Sequence, residues 1–161
     1  MKATKRLMLI ALIMVGFVLT SCTKDSSNPL TSVISSKFTC TLNGGGYSNQ
    51  TISFTSTGGA IYNADENVTD LVFSSPANDV GGLVIKGKST GTFAIDESDY
   101  EVSINMSGKM PLVLTSGTIV VTGYGSVGGE VKGTFSGTSL NPSTLESVQV
   151  TNGSFSAKRT M

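Results

Sequence analysis

Asp96-Glu97-Ser98-Asp99-Tyr100-Glu101 packs four carboxylates into six residues, and Asn63-Ala64-Asp65-Glu66-Asn67 adds two carboxylates and two amides. Hard cations such as Ca²⁺ take about six to eight oxygens, which acidic loops between strands can provide. The spacing does not match an EF-hand loop, and the glycine at that loop's sixth position is absent. The metal candidates are therefore Asp96, Glu97, Asp99 and Glu101, reinforced if the two acidic loops meet at one end of the fold. The competing reading is a solvated turn leading into a strand, with Asp99 and Glu101 facing outward. Paired carboxylates also serve glycosidases, about 5–10 Å apart across a sugar cleft, but nothing singles out one pair here.

Two other patterns touch on chemistry. Gly123-Tyr124-Gly125-Ser126-Val127-Gly128 fits G-x-G-x-x-G, whose nucleotide chemistry needs a helix N-terminus directly after it. The chain instead runs through Gly129-Glu130 into a strand pattern, so a hairpin loop is expected. Gly87-Lys88-Ser89-Thr90-Gly91 fits the nucleophile elbow G-x-S-x-G. That elbow needs a helix after it and a base to take the Ser89 proton. The chain has no His, which excludes Ser-His-Asp and Cys-His catalysis and His-ligated zinc. No catalytic residue is assigned, and the chain is read as a non-enzyme. Among binding groups, Tyr47, Tyr62, Tyr100 and Tyr124 are the stacking rings. Tyr47 and Tyr124 are read in glycine-rich loops, and they are the candidate contacts to a glycan or protein.

The elements that must carry these residues are short strands. From Val33 onward period two recurs and no long segment keeps helical spacing. Phe38, Cys40 and Leu42 alternate with Thr39 and Thr41; Ile52 and Phe54 alternate with Thr51, Ser53 and Thr55. Further strands are read at Ile61-Tyr62, 71–73, 83–85, 91–95, 100–106, 112–114, 118–122, 130–137 and 148–158. Turn signals such as Asn43-Gly44-Gly45-Gly46 separate them. The expectation is all-β: a single antiparallel sandwich or squat barrel of about ten short strands over residues 33–161. A weak echo recurs at Gly91-Thr92-Phe93, Gly117-Thr118-Ile119, Gly133-Thr134-Phe135 and Gly153-Ser154-Phe155. It reads as a glycine starting the strand, a hydroxyl facing solvent and an apolar side chain entering the core.

The N-terminus carries the most specific signal. Lys2, Lys5 and Arg6 precede a run of thirteen apolar or small residues, Leu7 to Leu19. A spanning helix needs about 20, so the run reads as a secretory signal. It ends in Leu19-Thr20-Ser21-Cys22, which resembles the lipobox of bacterial lipoproteins. The resemblance implies removal of residues 1–21, a diacylglycerol on the Cys22 thiol and acylation of the new amino group. Two or more acyl chains anchor stably where one is marginal. Residues 22–32 are then a polar, flexible tether. Thr23 is not the Asp that resembles an inner-membrane retention signal, so the outer membrane is expected. Lys24-Asp25 partly resembles the export signal of surface lipoproteins, leaving the cell surface and the periplasmic face both open.

Removal of Lys2, Lys5 and Arg6 from eleven basic residues leaves eight against eleven acidic ones, a net charge of −3. That argues against nucleic acid as a partner. With Cys22 lipidated, Cys40 has no intrachain partner and is expected as a buried free thiol. The C-terminal half, through Gly117–Thr122, Val131–Gly137 and Val150–Ala157, is similar to small Bacteroidetes-type all-β lipoproteins of unknown function. The resemblance implies a fold and no activity. The role expected is a non-catalytic binding or structural module. The alternatives are a barrel carrying a small ligand in an apolar cavity and a glycan-active enzyme.

Overall fold

A computed structural model describes residues 36–56, 58–96 and 99–161. The signal segment 1–21, Cys22 with the tether 22–32, and Glu97 lie outside the described residues. The strands are β1 (Ser36–Gly44), β2 (Tyr47–Ser56), β3 (Gly58–Asn63), β4 (Val68–Ser74), β5 (Val80–Lys86), β6 (Gly91–Ala94), β7 (Glu101–Asn105), β8 (Leu112–Tyr124), β9 (Glu130–Leu140) and β10 (Ser147–Lys158). No helix occurs among the described residues. The strands form one antiparallel sheet in the order β2-β1-β10-β9-β8-β7-β5-β4-β3, with β6 also beside β8. The all-β expectation holds.

The sheet curls until its far end returns to β10. Just past β10, Arg159 bridges Ala60 in parallel. The Thr160 amide donates to the Ala60 carbonyl at 2.9 Å, and the Tyr62 amide donates to the Met161 carbonyl at 3.5 Å. Side chains from both halves of the curl meet inside, as period two requires. The Phe38 ring lies 5.4 Å from Phe54, 5.5 Å from Phe73 and 5.0 Å from Phe135, so one residue of β1 ties together β2, β4 and β9. Among the described residues the buried apolar core runs from Phe38 to Ala157. Phe38, Cys40 and Leu42 are all buried, as their alternation predicts. Burial pushes the Cys40 thiol up to about 12.

Three local readings change. Residues 112–114 and 118–122 are not separate strands. They belong to the single thirteen-residue β8, which carries irregular register between Leu114 and Ser116. The glycine echo also has a different basis. Only Gly91 begins a strand; Gly133 and Gly153 lie inside β9 and β10, in register opposite Phe155 and Phe135. A Cβ on Gly153 would stand 2.6 Å from the Phe135 ring, and one on Gly133 would stand 2.7 Å from the Phe155 ring. Each glycine therefore makes room for a ring from the neighbouring strand, the cross-strand cover that stabilises glycine in sheets. The third change concerns β6 and β7, which share one edge of β8. Gly91–Ala94 pairs with Thr118–Val121, and Ser103-Ile104 pairs with Leu112-Val113. They are one strand interrupted by an excursion: eight residues separate Ala94 from Ser103, against four between Val113 and Thr118.

Candidate functional site

That excursion is the acidic stretch. It starts at Ile95, which is buried and donates its amide to the Gly117 carbonyl at 2.9 Å. Asp96 and Tyr100 form an isolated antiparallel bridge, and the Asp99 amide donates to Asp96 Oδ1 at 2.8 Å. The Tyr100 ring stacks on Phe93 at 4.8 Å and 13°, which moors the return to β7. Desolvation, then the negative Asp99 nearby, raises the Tyr100 phenol above its ordinary value.

A lysine ammonium lies against this acidic stretch. Lys86 Nζ donates to Asp99 Oδ2 at 2.6 Å. The hydrogen bond to Asp99 and its charge raise the Lys86 ammonium above the usual lysine value. The second acidic loop lies beside the same residue, because Val68 pairs with Lys86 and the Gly87 amide donates to the Asn67 carbonyl at 2.7 Å. The amides of that loop are used locally. Asn63 Oδ1 accepts the Asp65 amide at 3.0 Å, and Asn67 Oδ1 accepts the Tyr62 hydroxyl at 2.9 Å. Glu101 lies on β7, opposite Val84. Among the described residues, no three His, Cys, Asp or Glu side chains converge as a metal group would require.

The candidate tyrosines are not loop residues but strand ends, at opposite ends of β8. Tyr47 opens β2 and is 9% exposed. It borders a shallow depression of about 310 Å³ with Lys109, Met110, Asn141 and Thr144. Lys109 Nζ stands 4.6 Å from its ring centroid, and desolvation raises its phenol. Asn141 Nδ2 donates to the Gly45 carbonyl at 2.7 Å, tying the β9–β10 loop to the β1–β2 turn. Tyr124 closes β8, its hydroxyl 2.6 Å from Thr69 Oγ1, which itself donates to the Gly87 carbonyl at 2.7 Å. Arg159 lies over the Tyr124 ring at 5.3 Å while its guanidinium donates to the Gly125 carbonyl at 3.2 Å.

The remaining ring, Tyr62, is capped by Lys88 at 4.4 Å. Every tyrosine ring thus already has a neighbour: three have cations, and Tyr100 has Phe93. Exposed cation–π contacts are worth only about 0.5–1 kcal/mol, so a ligand could displace them, but the rings do not form one platform. The residues that sequence reasoning missed are the three ring partners Lys88, Lys109 and Arg159, and Lys86 as the partner of Asp99. Each stands at a strand end or turn, a position visible in sequence, whereas the ring or carboxylate it meets is set by non-local register.

Comparison with protein-family models, with curated proteins and with solved structures finds no match. The chemistry must therefore be read from the chain itself. The G-x-G-x-x-G stretch is the end of β8 and a hairpin turn into β9, with the Gly125 amide donating to the Glu130 carbonyl at 2.8 Å. Ser89 lies in the turn between β5 and β6, with a strand following. On the outer face, Glu130 accepts a hydrogen bond from Ser156 and pairs with Lys132 at 3.4 Å. The Ser156 bond, and secondarily Lys132, hold its carboxyl below the ordinary value.

Proposed function

We propose that this chain is an envelope lipoprotein, held at the outer membrane by acylated Cys22, whose β domain is a non-catalytic binding or structural module. The observation that carries the reading is Leu19-Thr20-Ser21-Cys22, standing directly after a basic head and a thirteen-residue apolar run. The β domain fits such an anchor. Its core starts at Phe38, and Ser36 stands fourteen positions beyond Cys22. Fully extended, those residues reach on the order of 50 Å. An interior occupied by the Phe38, Phe54, Phe73 and Phe135 rings supports contact through the outside of the domain over an enclosed ligand.

The test is processing in the native host. Globomycin, or the substitution Cys22→Ala, is expected to make the precursor accumulate and to abolish incorporation of labelled fatty acid. Normal maturation of Cys22→Ala would refute the reading. Protease treatment of intact cells then separates the surface from the periplasmic face.

A further inference from the structure

A sheet this wide must manage its edges, since unpaired N–H and C=O groups template pairing with another strand. The β3 edge is met by Arg159–Met161. The β6 edge is four residues long. The β2 edge differs from both. β2 ends the strand order, and among the described residues no strand pairs with its outer side. Its regular part, Gln50 to Ser56, pairs with β1 from Leu42 to Ser36 without a break. Thr51, Ser53 and Thr55 are exposed, whereas Thr39 and Thr41 on the adjacent strand are half-buried. β2 contains no Lys, Arg, Asp, Glu or Pro, the residues that usually blunt an edge.

We propose that the β2 edge is a docking site for the β2 edge of a second copy of this chain, antiparallel about a two-fold axis at Ser53. The residues argue for a second copy because this strand is complementary to itself. With Ser53 opposite Ser53, Thr51 faces Thr55 and Ile52 faces Phe54. Each hydroxyl meets a hydroxyl on the outer face, and each apolar side chain meets an apolar one on the inner face. No like charges oppose one another. Thr–Thr and aromatic–β-branched pairs are among the favourable cross-strand combinations. The same face already uses hydroxyl pairing, as Thr39 Oγ1 and Ser154 Oγ stand 2.7 Å apart across β1 and β10. A two-fold contact closes on itself and so stops at two copies.

The experiment uses the chain from Thr23 onward, which contains every described core residue, Phe38 to Ala157. Sedimentation across a concentration series is expected to show a monomer–dimer equilibrium. Ser53→Lys and Ser53→Glu each place like charges face to face, and each is expected to weaken the dimer by about tenfold or more. At dilution, where the parent is monomeric, their melting temperatures should match the parent. An equimolar mixture of the two should recover a 1:1 dimer. In cells, the full chain carrying Ser53→Cys should form a dimeric disulfide under a mild oxidant, since opposed antiparallel residues lie within disulfide reach. A parent chain that stays monomeric at every soluble concentration would overturn the proposal. So would a dimer indifferent to both charges, or a mixture that fails to pair.

Discussion

The two ends of this sheet are finished differently. At β3 the chain seals its own edge: Arg159, Thr160 and Met161 run past β10 and bond to Ala60 and Tyr62. Arg159 is itself held there by Gly125 and the Tyr124 ring. Among the described residues no strand covers β2, a long, uncharged strand with exposed hydroxyls. The contrast teaches that edge protection here is selective. The tail residues that cover β3 cannot also cover β2, and the charges that would have deterred pairing were placed elsewhere.

The comparison can be broken most severely at the residue that joins the two ends. Phe38→Ala removes the ring that touches β2, β4 and β9, and the expected loss is about 3–5 kcal/mol in urea unfolding. Gly153→Ala tests the Gly–Phe pairing behind both edges. Its Cβ would meet the Phe135 carbonyl at 2.3 Å, so a loss of about 1–3 kcal/mol is expected by the same measurement. Thr160→Pro removes one donor from the sealed edge. It should cost about 1–2 kcal/mol and, by exposing β3, add a concentration-dependent association that Ser53→Lys does not suppress.

Cys40 reports on the other edge, because it pairs with Ile52 across β1 and β2. With its thiol pushed up to about 12, it should resist alkylation in the native protein near neutral pH and react on denaturation. The sign for stability follows. The neutral thiol favours the fold fully below the unfolded value of about 8.5, and this contribution is lost as pH rises toward about 12. The smallest effect belongs to Lys86→Ala. Its ion pair with Asp99 is solvent-screened, and a raised lysine contributes below its unfolded value and loses that contribution as pH rises through the folded one. A thermal-melt difference from the parent should therefore be small, salt-sensitive and absent at strongly alkaline pH.

The alternating strands were legible because period two is local: Phe38, Cys40 and Leu42 declare one buried face without reference to the rest of the chain. The glycine echo was visible, but its meaning was not. Gly133 and Gly153 matter because of Phe155 and Phe135, and those pairings exist only once β9 and β10 are in register. The acidic stretch read as a turn leading into a strand. That it interrupts a strand, and that Lys86 answers Asp99, depends on β5, β7 and β8 lying side by side. Tyr47 read as a loop residue because glycines surround it. Packing against the core and Lys109 buries it. Edge status is the least local property of all, since it depends on which strand comes last in the order.

Hydrogen exchange, followed residue by residue at low and high protein concentration, tests the contrast between the edges most directly. The Tyr62 and Thr160 amides should be protected at both concentrations. The outward amides between Gln50 and Ser56 should exchange quickly when dilute and slow down as the protein is concentrated. Exchange along β2 that does not depend on concentration, or a Tyr62 amide as labile as those of β2 in dilute solution, would contradict the account.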